Sequence, residues 1–343
     1  MLEPTKKIAL YAEATMGLLN AKMTEGIVRY GQNPVVAIID SHAAGKTAAD
    51  FFGIGAKIPI VAALEDAIAR GAEVLVLGTA PSGGRLPAAW MAMLERAIAA
   101  GLSVVNGLHD ALAPRFPTLA ETQFVWDLRT PVGDLPAIAT ARAATLQNTR
   151  CLMVGTDMAI GKMTAGLEVW KTLRARGEDA VFLASGQIGI AITGTGIPLD
   201  AFRVDHASGA VERMVMAAGD HAIQIIEGQG SLLHPGSTAT LPLLRGSCAN
   251  AMILCHRAGM AHLDTLDHVP VPPLSEVIAL YEAVAPAAGA LTSARVVAIA
   301  LNTRGLDDAA ATRALAETAD ATGRPTTDPV RFGADTLADA LTA

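Results

Sequence analysis

Aromatic residues are scarce in this chain, at 4% of 343 positions, and charged residues make up only 17%. A core built on stacked rings is therefore excluded. Small aliphatic side chains must fill it, as in helices laid closely on parallel strands. Cysteines number 3, an odd count that argues against a disulfide framework and fits a reducing compartment. Positive charge is in deficit: 26 Lys and Arg stand against 33 Asp and Glu, for a net charge of −7. With no basic cluster, nucleic acid is not an expected partner. No apolar run reaches the roughly 18 residues that a membrane span requires, so no membrane association is expected either. The longest charge-free stretch, 181–199, is interrupted by Ser185, Gln187, Pro198 and several glycines. The first residues lead into a strand-like segment rather than the long apolar core of a secretion signal, and the expected compartment is the cytosol. Neither CxxC nor HExxH occurs, and the run Cys255, His256, His262, Asp264, His268 is not expected to hold a metal.

What remains is a 51% hydrophobic chain long enough for two domains. In the first half, strand-like runs at 7–11, 35–39, 74–77 and 103–105 alternate with helical spacing at 22–30, 62–70 and 87–100. This βαβ series predicts a parallel, Rossmann-like sheet. Residues 114–136 are rich in proline and turn formers, and 137–145 reads as a connecting helix, placing a boundary between domains 1–142 and 143–343. The series then restarts, with strands expected at 150–154, 179–184, 222–227, 251–255 and 295–301. The expected fold is α/β, with two parallel-sheet domains.

The strongest local signal is Gly155-Thr156-Asp157-Met158-Ala159-Ile160-Gly161-Lys162-Met163-Thr164, which follows a strand and opens a helix. Backbone N–H groups of such a turn wrap phosphate oxygens, the helix N-terminus adds positive potential, and Lys162 supplies a mobile cation. Five residues rather than four separate the two glycines, so the Walker spacing fails. Met163 replaces the hydroxyl that normally binds Mg²⁺ beside the phosphates, and a thioether is a poor ligand for that hard cation. Thr164 lies one residue further along, turned about 100° around the helix. The residues thus suit phosphates that are held rather than cleaved. The loop resembles that of dethiobiotin synthetase and its P-loop relatives, as do Glu227-Gly228-Gln229-Gly230-Ser231 at one strand end and Asn302 at another, where the resemblance implies a contact with a nucleotide base.

Nearly the whole chain resembles one family. The segments that carry the likeness are 21–30 (Ala-Lys-Met-Thr-Glu-Gly-Ile-Val-Arg-Tyr), 39–46, 58–61, Ser82-Gly83-Gly84-Arg85, 155–164, Ser185-Gly186-Gln187, 205–212 and 227–235. They are similar to a bacterial and archaeal family long known only as a domain of unknown function, with a Rossmann-like N-terminal and a P-loop C-terminal domain. Its members are assigned as D-glutamate N-acetyltransferases, which move an acetyl group from acetyl-CoA to the amine of D-glutamate. The resemblance implies the same here, with acetyl-CoA as co-substrate and D-glutamate or a related D-amino acid as acceptor. Its phosphates would rest on Gly155, Thr156, Asp157, Ala159, Gly161, Lys162, Met163 and Thr164, with Asn302 toward the adenine.

Acyl transfer to an amine requires a base, a donor for the oxyanion and a clamp for carboxylates. Polar residues at the P-loop domain's strand ends are Gln187, Asp205, His206, Glu227, Gln229, Ser231 and His234. His234, in a Gly/Ser loop before Pro235, is the preferred base. Glu227 is the second candidate, with a magnesium contact or a structural role as its alternatives. Asp205 and His206 open a helix, with capping of that helix as the alternative for Asp205. Arg85, with Ser82 beside it, is the first choice for the carboxylate clamp because guanidinium binds carboxylate bidentately, against the plain alternative of a solvated surface arginine. Two other classes stay open: a Mg-ATP-dependent ligase, carboxylase or kinase, and a nucleotide-binding regulatory protein. High apolar content relative to charge leads to the expectation of a homo-oligomer, a dimer by preference.

Overall fold

A computed structural model describes residues 2–264 and 266–343, except for the side chains of Leu19 and Ser82. The chain forms two compact units. One comprises Met1–Val132 with Gln187–Ala201, the other Gly133–Gly186 with Phe202–Ala343.

The first unit runs β1 (Ile8–Tyr11), α1 (Lys22–Tyr30), β2 (Val35–Ile39), α2 (Ala49–Phe52), β3 (Ile60–Val61), α3 (Leu64–Ala69), β4 (Val74–Leu77), α4 (Met91–Ala99), β5 (Ser103–Asn106) and β6 (Val125–Asp127). Its six strands pair in parallel in the order β3-β2-β1-β4-β5-β6, the doubly wound order of a Rossmann-like domain. Ala9, Ala37, Leu75, Leu77 and Val104 are wholly buried on the strands, and the small residues among them let helices approach closely. α3 starts at Leu64 rather than 62 because Ala63 is extended and its N–H donates to the Asp66 carboxylate at 3.1 Å. β6 lies within the proline-rich stretch; Asp127 at its end accepts from the N–H groups of Leu112 and Ala113, which fixes the intervening loop.

The second unit runs β7 (Thr149–Gly155), α5 (Lys162–Ala175) and β8 (Ala180–Leu183). α6 (Gln187–Thr193) then packs with α1 in the first unit. It continues through α7 (Val204–Ala217), β9 (Ile223–Ile226), α8 (Thr240–Ser247), β10 (Ala251–Arg257), the hairpin β11 (His262–Leu263) and β12 (Leu266–Pro270), α9 (Leu274–Val284), β13 (Arg295–Asn302), α10 (Asp308–Thr322), β14 (Thr326–Thr327) and α11 (Asp335–Thr342). The main sheet is parallel, ordered β14-β13-β10-β7-β9-β8, so the strand that feeds the glycine loop is interior. The expected α/β class with two parallel sheets is what the molecule has. Among the described residues no helix is long and apolar enough to cross a membrane.

The connecting helix expected at 137–145 does not form; only a short 3₁₀ turn, Arg142–Thr145, is helical there. The extended segment before it lies along α7. Gly209 exposes backbone against it, and a Cβ at that position would overlap the Ala137 carbonyl oxygen. The N–H groups of Thr140 and Arg142 donate to the buried Glu212 carboxylate at 2.8 and 2.9 Å. A distant side chain thus satisfies the donors that a helix would have satisfied internally. Arg150 on β7 is 1% exposed, and its guanidinium donates to the carbonyls of Leu146, Asn148, Ser247 and Cys248, closing the C-terminal end of α8.

Candidate functional site

The phosphate loop is built at the junction of β7 and α5. The chain leaves β7 at Gly155 and enters α5 through Gly161, whose φ of 113° is a conformation side chains rarely adopt. Gly155 carries no Cβ because one would press on the Ile160 and Lys162 side chains. Lys162, 7% exposed, donates from Nζ to the Asp157 carbonyl at 2.7 Å, so its ammonium lies over its own loop. Gly228 flanks the same aliphatic stem, and its backbone abuts the Met153 carbonyl so closely that a Cβ would overlap it.

Surrounding elements hold this turn in place. Thr156 Oγ1 hydrogen-bonds His256 Nδ1 at 2.9 Å, and burial pushes the imidazole down to about 4, with Arg257 adding to the effect. His256 is therefore neutral at physiological pH. Asp157 accepts from the N–H of Met158 through one oxygen and from the N–H of Asp264 through the other, tying the β11–β12 turn to the loop. Tyr281 Oη donates to the Gly155 carbonyl at 2.7 Å. Asn302 is brought to the loop, where its amide donates to the Ile160 carbonyl at 3.3 Å and accepts from Arg304 N–H at 3.0 Å, so it braces the turn. Met163 and Thr164, both half-buried, sit in the first turn of α5, and Ala159 is exposed at the tip of the loop.

Glu227 follows β9 and is 3% exposed. One carboxylate oxygen accepts from the N–H groups of Ser185 and Gly186 at 2.8 and 3.1 Å, and the other faces the Gln229 amide at 3.3 Å. Burial pushes its carboxyl up to about 7, opposed by those two N–H groups and the Lys162 ammonium. A carboxyl poised there can exchange a proton at neutral pH. Beyond it the chain folds on itself: Ser231 N–H donates to Ser237 Oγ, Ser231 Oγ accepts from Leu233 N–H, and Thr240 Oγ1 donates to the Gln229 carbonyl.

His234 belongs to this loop, 8% exposed. Its Nδ1 accepts from Gly236 N–H at 3.1 Å, which fixes the ring proton of the neutral tautomer on Nε2. That N–H is buried without a partner. In this geometry His234 offers a hydrogen-bond donor, and the lone pair that a general base needs is already engaged. The expectation of His234 as base is corrected accordingly.

Several other expected residues are engaged differently from the expectation. Asp205 is exposed in the first turn of α7 and caps nothing, because the N-cap is Arg203; His206 Nδ1 bonds the Pro136 carbonyl at 2.7 Å. Arg85 is 76% exposed and pairs bidentately with Asp110 at 3.0 Å through each nitrogen, so its fork is occupied. The Ser82 side chain lies outside the described residues, and Gln187 opens α6 in the first unit. Among the described residues, metal-ligating atoms converge not at 255–268 but at Glu13, Asp40 and His42, all within 4.8 Å of one another.

Tyr281 lies outside every motif of the sequence, while Ser185 enters only as part of a family-like segment and His256 only in a run tested for metal ligands. Tyr281 shares the buried face of α9 with Val277 and Ile278 and reads as core; a phenol buried there needs a partner for its hydroxyl, which was the available signal.

Comparison with known proteins agrees with both halves. Residues 41–131 match a family described as a domain of unknown function (DUF1611_N), Rossmann-like domain. Residues 137–338 match the domain of unknown function (DUF1611_C), P-loop domain. A protein named D-glutamate N-acetyltransferase from Tritonibacter scottomollicae is 37% identical over 298 residues, spanning 85% of this chain and 88% of the relative. Another of the same name from Pseudoalteromonas sp. is 34% identical over 277 residues, 79% of this chain and 82% of the relative. The crystal structure of a DUF1611 family protein from Anabaena variabilis ATCC 29413 superposes with a TM-score of 0.95 at 47% identity, covering 98% of this chain and 99% of that one. The chain therefore belongs to the DUF1611 family, in which a Rossmann-like domain precedes a P-loop domain and two curated relatives bear the name D-glutamate N-acetyltransferase.

Proposed function

We propose that the protein is an amino-acid N-acetyltransferase that moves the acetyl group of acetyl-CoA to the amine of D-glutamate, with the coenzyme's diphosphate resting on the 155–164 loop. The observation that carries this reading is the pairing of two features. A preformed phosphate loop has Met163 where a magnesium-binding hydroxyl would stand, and a buried carboxyl, Glu227, held near neutrality, lies within the field of its lysine. Two family relatives named D-glutamate N-acetyltransferase support acetyl as the group moved and D-glutamate as its acceptor.

An α-ammonium must lose a proton before it can attack. In our reading Glu227 takes that proton. The freed nitrogen adds to the thioester carbonyl, forming the C–N bond and leaving an oxyanion. The His234 Nε2–H, with backbone N–H groups of the 228–230 turn, donates to that oxygen. Collapse breaks the C–S bond, and the departing thiolate recovers a proton from the Glu227 carboxyl or the new amide nitrogen. Lys162 and the α5 N-terminus hold the phosphates throughout.

The test is thiol release from acetyl-CoA against a panel of D- and L-amino acids in the presence of EDTA. Release with D-glutamate, indifferent to EDTA, is expected, and Lys162→Ala should raise KM for acetyl-CoA by about 10-fold or more, the loss of one charge-assisted phosphate contact. Silence with D-glutamate together with Mg²⁺-dependent ATP hydrolysis would refute it and favour the ligase or kinase reading.

A further inference from the structure

We propose that Tyr281 is a positioning residue whose hydroxyl locks the 228–237 loop to the phosphate loop, so that phosphates bound at one fix the acyl-transfer groups carried by the other. The kinetic part of this inference rests on the acetyltransferase reading; the structural part does not.

Tyr281 is completely buried on α9. Its hydroxyl has one proton, which goes to the carbonyl of Gly155, the first residue of the phosphate loop, at 2.7 Å. An oxygen lone pair accepts the N–H of Leu232 at 3.2 Å. One atom thus joins the end of β7 to the middle of the loop that follows Glu227 and bears Gln229 and His234. The joined loop is itself stiff, through the contacts of Ser231 with Leu233 and Ser237, of Thr240 with Gln229 and of Gly236 with His234. It therefore shifts as one body or not at all. The same loop also approaches β7 closely at Gly228, against the Met153 carbonyl. Two separated points of attachment define an orientation where one would allow a pivot. Removing the Tyr281 oxygen leaves the Gly155 carbonyl and the Leu232 N–H without this partner, and the loop keeps Gly228 as its hold on β7.

Tyr281→Phe keeps the ring and removes only the bridge. The expected result is a fall in kcat of about 30-fold with KM for acetyl-CoA within about 3-fold of the parent, the signature of a misaligned reacting group on an intact phosphate site. Val277→Ala, which trims the same buried face of α9 without touching the bridge, should leave kcat near the parent value. Hydrogen exchange supplies a readout independent of turnover: coenzyme A should slow exchange of amides in both 155–164 and 228–237 in the parent, but only in 155–164 in Tyr281→Phe. If Tyr281→Phe does not fold, the parent's exchange pattern decides, since the coupling requires that coenzyme A protect 155–164 and 228–237 together. Unchanged kcat in Tyr281→Phe, an equal fall in Val277→Ala, or parent protein in which coenzyme A leaves 228–237 unprotected would each overturn the proposal. If the parent transfers no acetyl group, the acetyltransferase reading fails, and the exchange pattern alone then sustains or overturns the coupling.

Discussion

Replacing Glu227 by glutamine should make the protein more stable and less active, and the stability gain should depend on pH. The carboxyl rises from 4.5 to about 7 because burial penalises its charged form more than its amide partners and Lys162 favour it. At about 1.4 kcal/mol per pH unit, that rise corresponds to about 3 kcal/mol. A raised carboxyl means that the folded chain holds the proton more tightly than the unfolded one. Below pH 4.5 both forms are protonated and the fold carries no penalty; as pH climbs from 4.5 through 7 the unfolded chain releases its proton first, and stability is lost. Glutamine still presents an oxygen to the Ser185 and Gly186 N–H groups, and the Gln229 amide can turn to meet its nitrogen. Urea unfolding of the parent and Glu227→Gln at about pH 4.5 and about pH 8 should therefore give nearly equal stabilities in acid, with the variant ahead by up to about 3 kcal/mol in base. In the same reading, acetyl transfer by the parent rises with pH through about 7 and that rise is absent in the variant. A gap that is the same at both pH values, or a variant less stable in base, would refute the buried-charge argument.

The opposite sign is expected at His256, which is held down to about 4 against an ordinary 6.5. Its stability contribution is present above 6.5 and is lost as pH falls through 4, by about 3 kcal/mol in all, and His256→Gln should flatten that part of an acid-unfolding curve. Arg150→Met should cost about 3 kcal/mol or more by urea unfolding, since the carbonyls of Leu146, Ser247 and Cys248 lose a buried donor at once. Glu212→Ala should cost about 2–3 kcal/mol and open residues 134–141 to limited proteolysis, with Gly209→Ala giving the same cleavage by steric displacement.

Strands and helices set by local pattern were legible: Val35–Ile39, Val74–Leu77 and Lys22–Tyr30 fall where aliphatic runs and apolar spacing put them. The glycine loop was legible because its chemistry is compressed into ten consecutive residues. Where long-range partners decide, reading failed. Alanine-rich 137–145 has a helical composition, yet Glu212, some seventy residues on, takes its N–H groups. Arg85 reads as a clamp until Asp110 is found beside it, and His234 reads as a base until Gly236 N–H is found on its lone pair. One sequence signal went unused. Lys22-Met23-Thr24-Glu25-Gly26 opens α1 with the same K-M-T-x-G as Lys162-Met163-Thr164-Ala165-Gly166 opens α5. In α1 the threonine hydroxyl donates to the Gly78 carbonyl at 2.9 Å, which shows part of that motif working as helix-to-strand packing.

Because α6 is drawn from within the second unit's stretch of sequence, the chain crosses from one unit to the other three times, after Val132, Gly186 and Ala201. A growing chain that has emerged only as far as Val132 lacks the helix that packs on α1, and receives it only after β7, α5 and β8 have been synthesised. The usual order in which an N-terminal domain finishes before the next begins is not open to this protein. The first fold is completed only after part of the second has been made, and a gene divided at a single point cannot yield both of them whole.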